Sequence, residues 1–176
     1  MRALGPGSVS SFLKIILDVV YAALWVGVAG VAILAVLLLL LSFNPEFLQN
    51  INISTEGAKI DRPVPVLAGA LFAGAVYLAG VLVITGCLRR IFASLTAGDP
   101  FHPENVKLLR LVGLMLAGLE LGRYLVFAVT RWVLVEARNS EPNFSLTAWF
   151  SVLVVFVLAE IFREGARLRR EAELTI

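Results

Sequence analysis

Between Leu108 and Thr130 the chain reads LLRLVGLMLAGLELGRYLVFAVT, an apolar run that nonetheless holds a carboxylate, Glu120, and a guanidinium, Arg123. At a spacing of three, the two side chains meet on one face of a helix. Glu120 stands about twelve residues into the run, or about 18 Å at 1.5 Å per residue, close to the middle of a bilayer. Charges at that depth are costly, so the pair is expected to face the bundle and neutralise itself. Two roles fit such a pair. One is a packing or specificity device, since buried ion pairs often add little net stability. The other is a switch linked to a proton or a ligand, the first hypothesis for an ionisable residue within a membrane. Gly118 and Gly122 flank Glu120 in a GxxxG pair, on a neighbouring face that would let another helix come close.

Other chemistry is sparse. Asp18 lies one turn from Lys14, and Glu160 lies three residues before Arg163. Both fall at the ends of apolar segments, where a headgroup or a paired cation is within reach. No G-x-S-x-G, H-E-x-x-H, phosphate-binding loop or dinucleotide fingerprint occurs. His102 is the only histidine and Cys87 the only cysteine, so one chain can build neither a multi-His metal site nor an intrachain disulfide. The expectation is a protein that is not an enzyme, with no catalytic residues, no metal and no cofactor.

The elements that must position these groups follow from composition. The 176 residues are 59% hydrophobic and only 16% charged, with a mean hydropathy of +0.89. Soluble domains are nearer half apolar and about a quarter charged, so lipid must solvate much of this chain. The fold class expected is an all-α polytopic membrane protein with four transmembrane helices, spanning approximately 19–43, 64–87, 108–130 and 144–162. The first run is longer than a signal-peptide core and lacks a small-residue exit, so it reads as a retained span. Ser10 or Ser11 would cap its helix, and Asn44-Pro45 would end it. An external loop covers 44–63, within which Asn52-Ile53-Ser54 fits a glycosylation acceptor only by chance-level spacing.

Pro63 and Pro65 open the second segment, where Gly69, Ala73, Ala70 and Gly74 form overlapping small-xxx-small pairs suited to close helix packing. The polar loop 88–107 follows. Leu88, Ile91, Phe92 and Leu95 mark an amphipathic helix in it. Gly98 is placed to cap that helix, Asp99-Pro100 to turn the chain, and Pro103 with Glu104 to start the next helix. The tail, 163–176, continues the fourth helix into water.

Lysine and arginine orient the whole. Arg2, Lys14, Arg89, Arg90, Lys107, Arg110, Arg163, Arg167, Arg169 and Arg170 fall on one side, against Lys59, Arg62, Arg131 and Arg138 on the other. Both termini and the middle loop are therefore expected in the cytoplasm. The pI near 9.0 reflects this clustering beside apolar segments and does not point to nucleic acid.

From Gly98 to Arg110 the chain reads GDPF-x3-N-x2-LLR, and near its end Phe150-Ser151 precedes IF-x2-G-x-x-L and then EAELTI. These stretches resemble the domain of unknown function 2975 family. The resemblance spans essentially the whole chain and implies a small bacterial membrane protein of four helices without an established activity. It does not include Glu120 or Arg123. It also implies, by analogy, a soluble partner: a small helix-turn-helix regulator encoded alongside, held or released at the membrane. The residues that would do this are the motif Gly98, Asp99, Pro100, Phe101 and Asn105 and the tail arginines Arg163, Arg167, Arg169 and Arg170.

The reading that results is an inner-membrane, multi-pass regulatory or sensory protein. Its partners would be the bilayer, a cytoplasmic protein and, through its glycine faces, further copies of itself. A small transporter or channel subunit using Glu120 is the rival reading, and a scaffold subunit of a larger membrane complex is a third.

Overall fold

In the computed structural model, described for residues 9–43, 64–133 and 144–174, four α-helices carry the chain: α1 (Val9–Ser42), α2 (Val64–Thr96), α3 (Pro103–Val133) and α4 (Leu146–Glu173). Each is long and apolar enough to cross a membrane, with candidate spans Phe12–Leu41, Val66–Thr96, Pro103–Trp132 and Leu146–Ala172. Thirty residues of helix reach about 45 Å, against about 30 Å of hydrocarbon. Large apolar side chains stand exposed on every helix, among them Trp25, Phe72, Leu125 and Phe150. Water would not tolerate a surface of that extent, whereas lipid solvates it. The chain is a multi-pass membrane protein.

The helices overrun the expected spans. α1 covers Val9–Ser42, a range that includes Ser10 and Ser11. The amphipathic stretch from Leu88 to Leu95 is no separate helix: α2 runs unbroken through Cys87 to Thr96. Nothing in GCLRRIFASLT breaks a helix, and the change from apolar to amphipathic marks only where the same helix leaves the lipid. The polar loop thereby shrinks to the residues between Thr96 and Pro103. α4 continues past Gly165 to Glu173, as its lack of a breaker predicts. The loop 44–63, with Asn52-Ile53-Ser54, and the residues 134–143 lie outside the described residues.

The chain divides into two compact units, residues 23–79 and residues 1–22 with 80–176. In the first unit the buried residues are small: Ala35, Ala68 and Ala75. Ala68 and Ala75 are seven apart, on one face of α2. Gly69 and Ala70 are exposed, and Ala73 and Gly74 only half-buried. No atom comes within 4 Å of where a Cβ would stand on Gly69 or Gly74. One residue is 100° of helix rotation, so the small-residue face read from the sequence is turned away from the face that is buried.

The second unit holds the core. Ile91 of α2, Leu109 of α3 and Ala159 of α4 form its centre, with Leu95, Leu108 and Phe162 packed around them. Arg89 joins the start of α1 to α2, its Nε donating to Asp18 and its guanidinium lying 4.4 Å from the centre of the Tyr21 ring. Asp18 is therefore held by Arg89 of α2, not by Lys14 one turn away. Close helix packing uses other glycines than those expected. A Cβ on Gly80 would meet Leu119 at 2.6 Å, one on Gly113 the Phe156 ring at 3.0 Å, and one on Gly165 the Phe101 ring at 2.6 Å. A Cβ on Gly118 or Gly122 would meet nothing within 4 Å, so among the described residues neither makes a close helix contact.

Candidate functional site

Two groups of residues merit the term, and the first is the ion pair on α3. Arg123 Nη2 donates to Glu120 Oε1 at 2.6 Å and its Nε to Oε2 at 3.2 Å, so one guanidinium edge spans both carboxylate oxygens. Paired, planar contact of this kind fixes geometry as well as charge. Glu120 is buried at 8% exposure, whereas the Arg123 side chain is 43% exposed. The guanidinium also lies 5.1 Å from the centre of the Tyr124 ring. That ring stacks on Phe144 with centroids 6.3 Å apart, and its hydroxyl accepts from the Ser145 amide at 3.4 Å. Ser145 is the N-cap of α4, its Oγ accepting from the Ala148 amide at 3.3 Å.

Two contacts set the register of the antiparallel pair α3 and α4: Phe156 against Gly113, and Tyr124 against Ser145. Counting from either brings Glu120 level with Trp149, one turn into α4. The buried indole Nε1 of Trp149 has no hydrogen-bond partner among the described residues. Within α3's own candidate span, Pro103–Trp132, Glu120 lies near the middle.

The second group is the turn between α2 and α3. Gly98 adopts a φ of +85°, the left-handed conformation that side chains with a Cβ resist. Its amide donates to Leu95 O and that of Asp99 to Ser94 O, both at 3.1 Å. This 5→2 and 6→1 pattern is a Schellman motif closing α2. His102 caps α3: its Nδ1 accepts from the Glu104 amide at 3.3 Å and its carbonyl from the Asn105 amide at 2.9 Å. Between the two caps sits Asn105, 1% exposed. Its Nδ2 donates to Ser94 Oγ at 2.6 Å and to the Pro100 carbonyl at 2.9 Å, and Ser94 in turn donates to Ile91 O at 2.8 Å. One amide thus ties the end of α2, the turn and the start of α3.

The turn is also fastened to α4. Asp99 accepts a hydrogen bond from Arg169 Nη1. Phe101 lies against Gly165 and tilts onto Phe162 with ring centroids 5.7 Å apart. The family model described as protein of unknown function (DUF2975) matches residues 48–176, taking in this turn and the helix it rests on. The chain belongs to the DUF2975 family. No curated protein and no solved structure matches it.

The residues Gly98, Asp99, Pro100, Phe101 and Asn105 therefore have identifiable places. Gly98 supplies a conformation, Asp99 an anion for Arg169, Pro100 a carbonyl, Phe101 a wedge and Asn105 a buried donor. Of the tail arginines, three have partners: Arg169 holds Asp99, and the other two are Arg163 and Arg167. Arg163 pairs with Glu160, and Arg167 with Glu164 at 2.8 Å and Glu171 at 3.3 Å. Glu160 also meets Arg110 of α3 at 3.9 Å. Sequence reasoning placed the turn and the tail on one side of the membrane but not against each other. It also missed Ser94, whose hydroxyl is the acceptor for Asn105. The signal available was Gly165, the one residue without a side chain in an otherwise long-chained polar helix.

Proposed function

We propose that this DUF2975 protein is a non-enzymatic regulatory partner in the bacterial inner membrane, with both termini and the Gly98–Asn105 turn on the cytoplasmic side. The turn and the C-terminal half of α4 would together form the face on which a soluble protein docks. The observation that carries this reading is the joint between motif and tail, in which Phe101 rests on Gly165 while Asp99 holds Arg169. The same few residues cap α2, start α3 and lean on α4, so a displacement of any of these helices would alter the docking face. By family analogy the occupant is a small helix-turn-helix regulator, held or released at the membrane. The chain itself would touch no nucleic acid.

Deleting the tail is a poor probe, because it also removes the support of the turn. Phe101→Ala loosens the joint and leaves the tail in place. Crosslinking pull-down from native membranes should recover a soluble helix-turn-helix protein with the wild type and less of it with the variant. Recovery of no soluble protein by the wild type would remove the basis of the reading.

A further inference from the structure

Where the first turns of α3 run beside the last turns of α4, an open groove of about 440 Å³ is walled by Lys107 and Arg110 on one side. Arg163, Glu164, Arg167 and Arg170 wall the other. Five cations thus face one carboxylate. Part of that charge is already engaged: Glu160 takes Arg163 and lies 3.9 Å from Arg110, while Glu164 and Glu171 take Arg167. Lys107 and Arg170 have no acidic partner among the described residues. They stand on opposite walls, one from each helix, with open space between them.

The groove also has a polarity along its length. One turn beyond Arg110 on α3 is Leu114, 60% exposed, and one turn before Glu160 on α4 is Val157, 50% exposed. The cationic walls therefore run out onto bare apolar side chains on the same side of the helix pair. An inorganic anion needs only the walls. A molecule with an anionic head and apolar chains would use both.

We propose that this groove binds the phosphate of an anionic ligand, and that a phospholipid headgroup supplies it. Guanidinium groups match the spread of phosphate oxygens in paired contacts, and basic pockets between membrane helices suit such heads. Lys107 and Arg170 would take the phosphate directly and supply the net positive charge, while Arg110, Arg163 and Arg167, held by Glu160, Glu164 and Glu171, would frame the site. The acyl chains would lie along Leu114 and Val157.

The test is thermal unfolding of the purified full chain in a zwitterionic detergent, titrated with phosphatidylglycerol, phosphatidylcholine or inorganic phosphate. The wild type is compared with Lys107→Gln/Arg170→Gln and with Lys14→Gln/Arg90→Gln, which removes equal charge from exposed residues outside the groove. Phosphatidylglycerol should raise the midpoint of the wild type. The groove variant should need about 30-fold more of it, at roughly fivefold per cation lost, and the control should match the wild type. Stabilisation by inorganic phosphate with the same dependence on Lys107 and Arg170 would keep the phosphate site and assign it to a soluble ligand. Equal effects of the two lipids, or equal losses in the two variants, would overturn the proposal.

Discussion

Asn105 is the residue on which the polar end of the second unit turns. Among the described residues it is the largest fully buried side chain and it is polar, a combination that native structures tolerate only when the hydrogen bonds are made. Both of its amide donors have acceptors, Ser94 Oγ and the Pro100 carbonyl. Asn105→Ala removes both bonds and leaves the Pro100 carbonyl without its donor, at a cost of about 1–3 kcal/mol. Asn105→Asp should be worse, since it sets a carboxylate oxygen against a carbonyl oxygen. Unfolding midpoints in detergent order the three proteins, and a midpoint for the aspartate variant equal to the wild type would refute the assignment. From the sequence Asn105 was legible only as part of a family-like motif. Nothing in the spacing N-V-K-L-L says that its amide reaches back eleven residues to a serine.

At the scale of the helix, periodicity and hydropathy decided the outcome where they are strong and misled where they are weak. The four apolar runs are plain in the sequence because no soluble fold could bury them. Helix ends were legible where a residue has one structural use: Gly98 for its positive φ and Pro103 for its missing N–H, whereas the Ser145 cap of α4 emerged only from the structure. Small residues were not, because Gly and Ala fit both a tight interface and open lipid. Gly118 and Gly122 form the more recognisable pattern, yet the close contacts are at Gly80, Gly113 and Gly165. Substitution separates the two sets. Gly118→Ala and Gly122→Ala should leave the unfolding midpoint unchanged or raise it, since alanine is favoured over glycine in a helix by about 1 kcal/mol and the added methyl meets nothing. A clear loss would reveal a second copy packed on that face, which native mass measurement would then detect. Glu120 illustrates the same limit. Its pairing with Arg123 follows from a spacing of three, but its neighbour across the helix pair, Trp149, depends on how α3 and α4 slide past each other, which their sequences do not state.

For the molecule as a whole, charge bias and packing point the same way. The Gly98–Asn105 turn, the basic groove and the end of α4 gather at one polar end of the second unit, the end that the proposed orientation turns toward the cytoplasm. A fluorescent protein fused after Ile176 should therefore be bright, and a periplasm-dependent phosphatase fused there inactive; the opposite pattern would invert the topology. Phe101, resting on Gly165, locks the Gly98–Asn105 turn onto α4. The most direct measurement is a double-mutant cycle of Phe101→Ala and Gly165→Ala, read by unfolding in detergent. With Phe101 present, Gly165→Ala drives a methyl into a rigid ring and should cost about 1–3 kcal/mol. With Phe101 removed, the same methyl enters vacated space, and the cost should vanish or change sign. Two strictly additive losses would show that the turn and the helix do not touch, and would contradict the account.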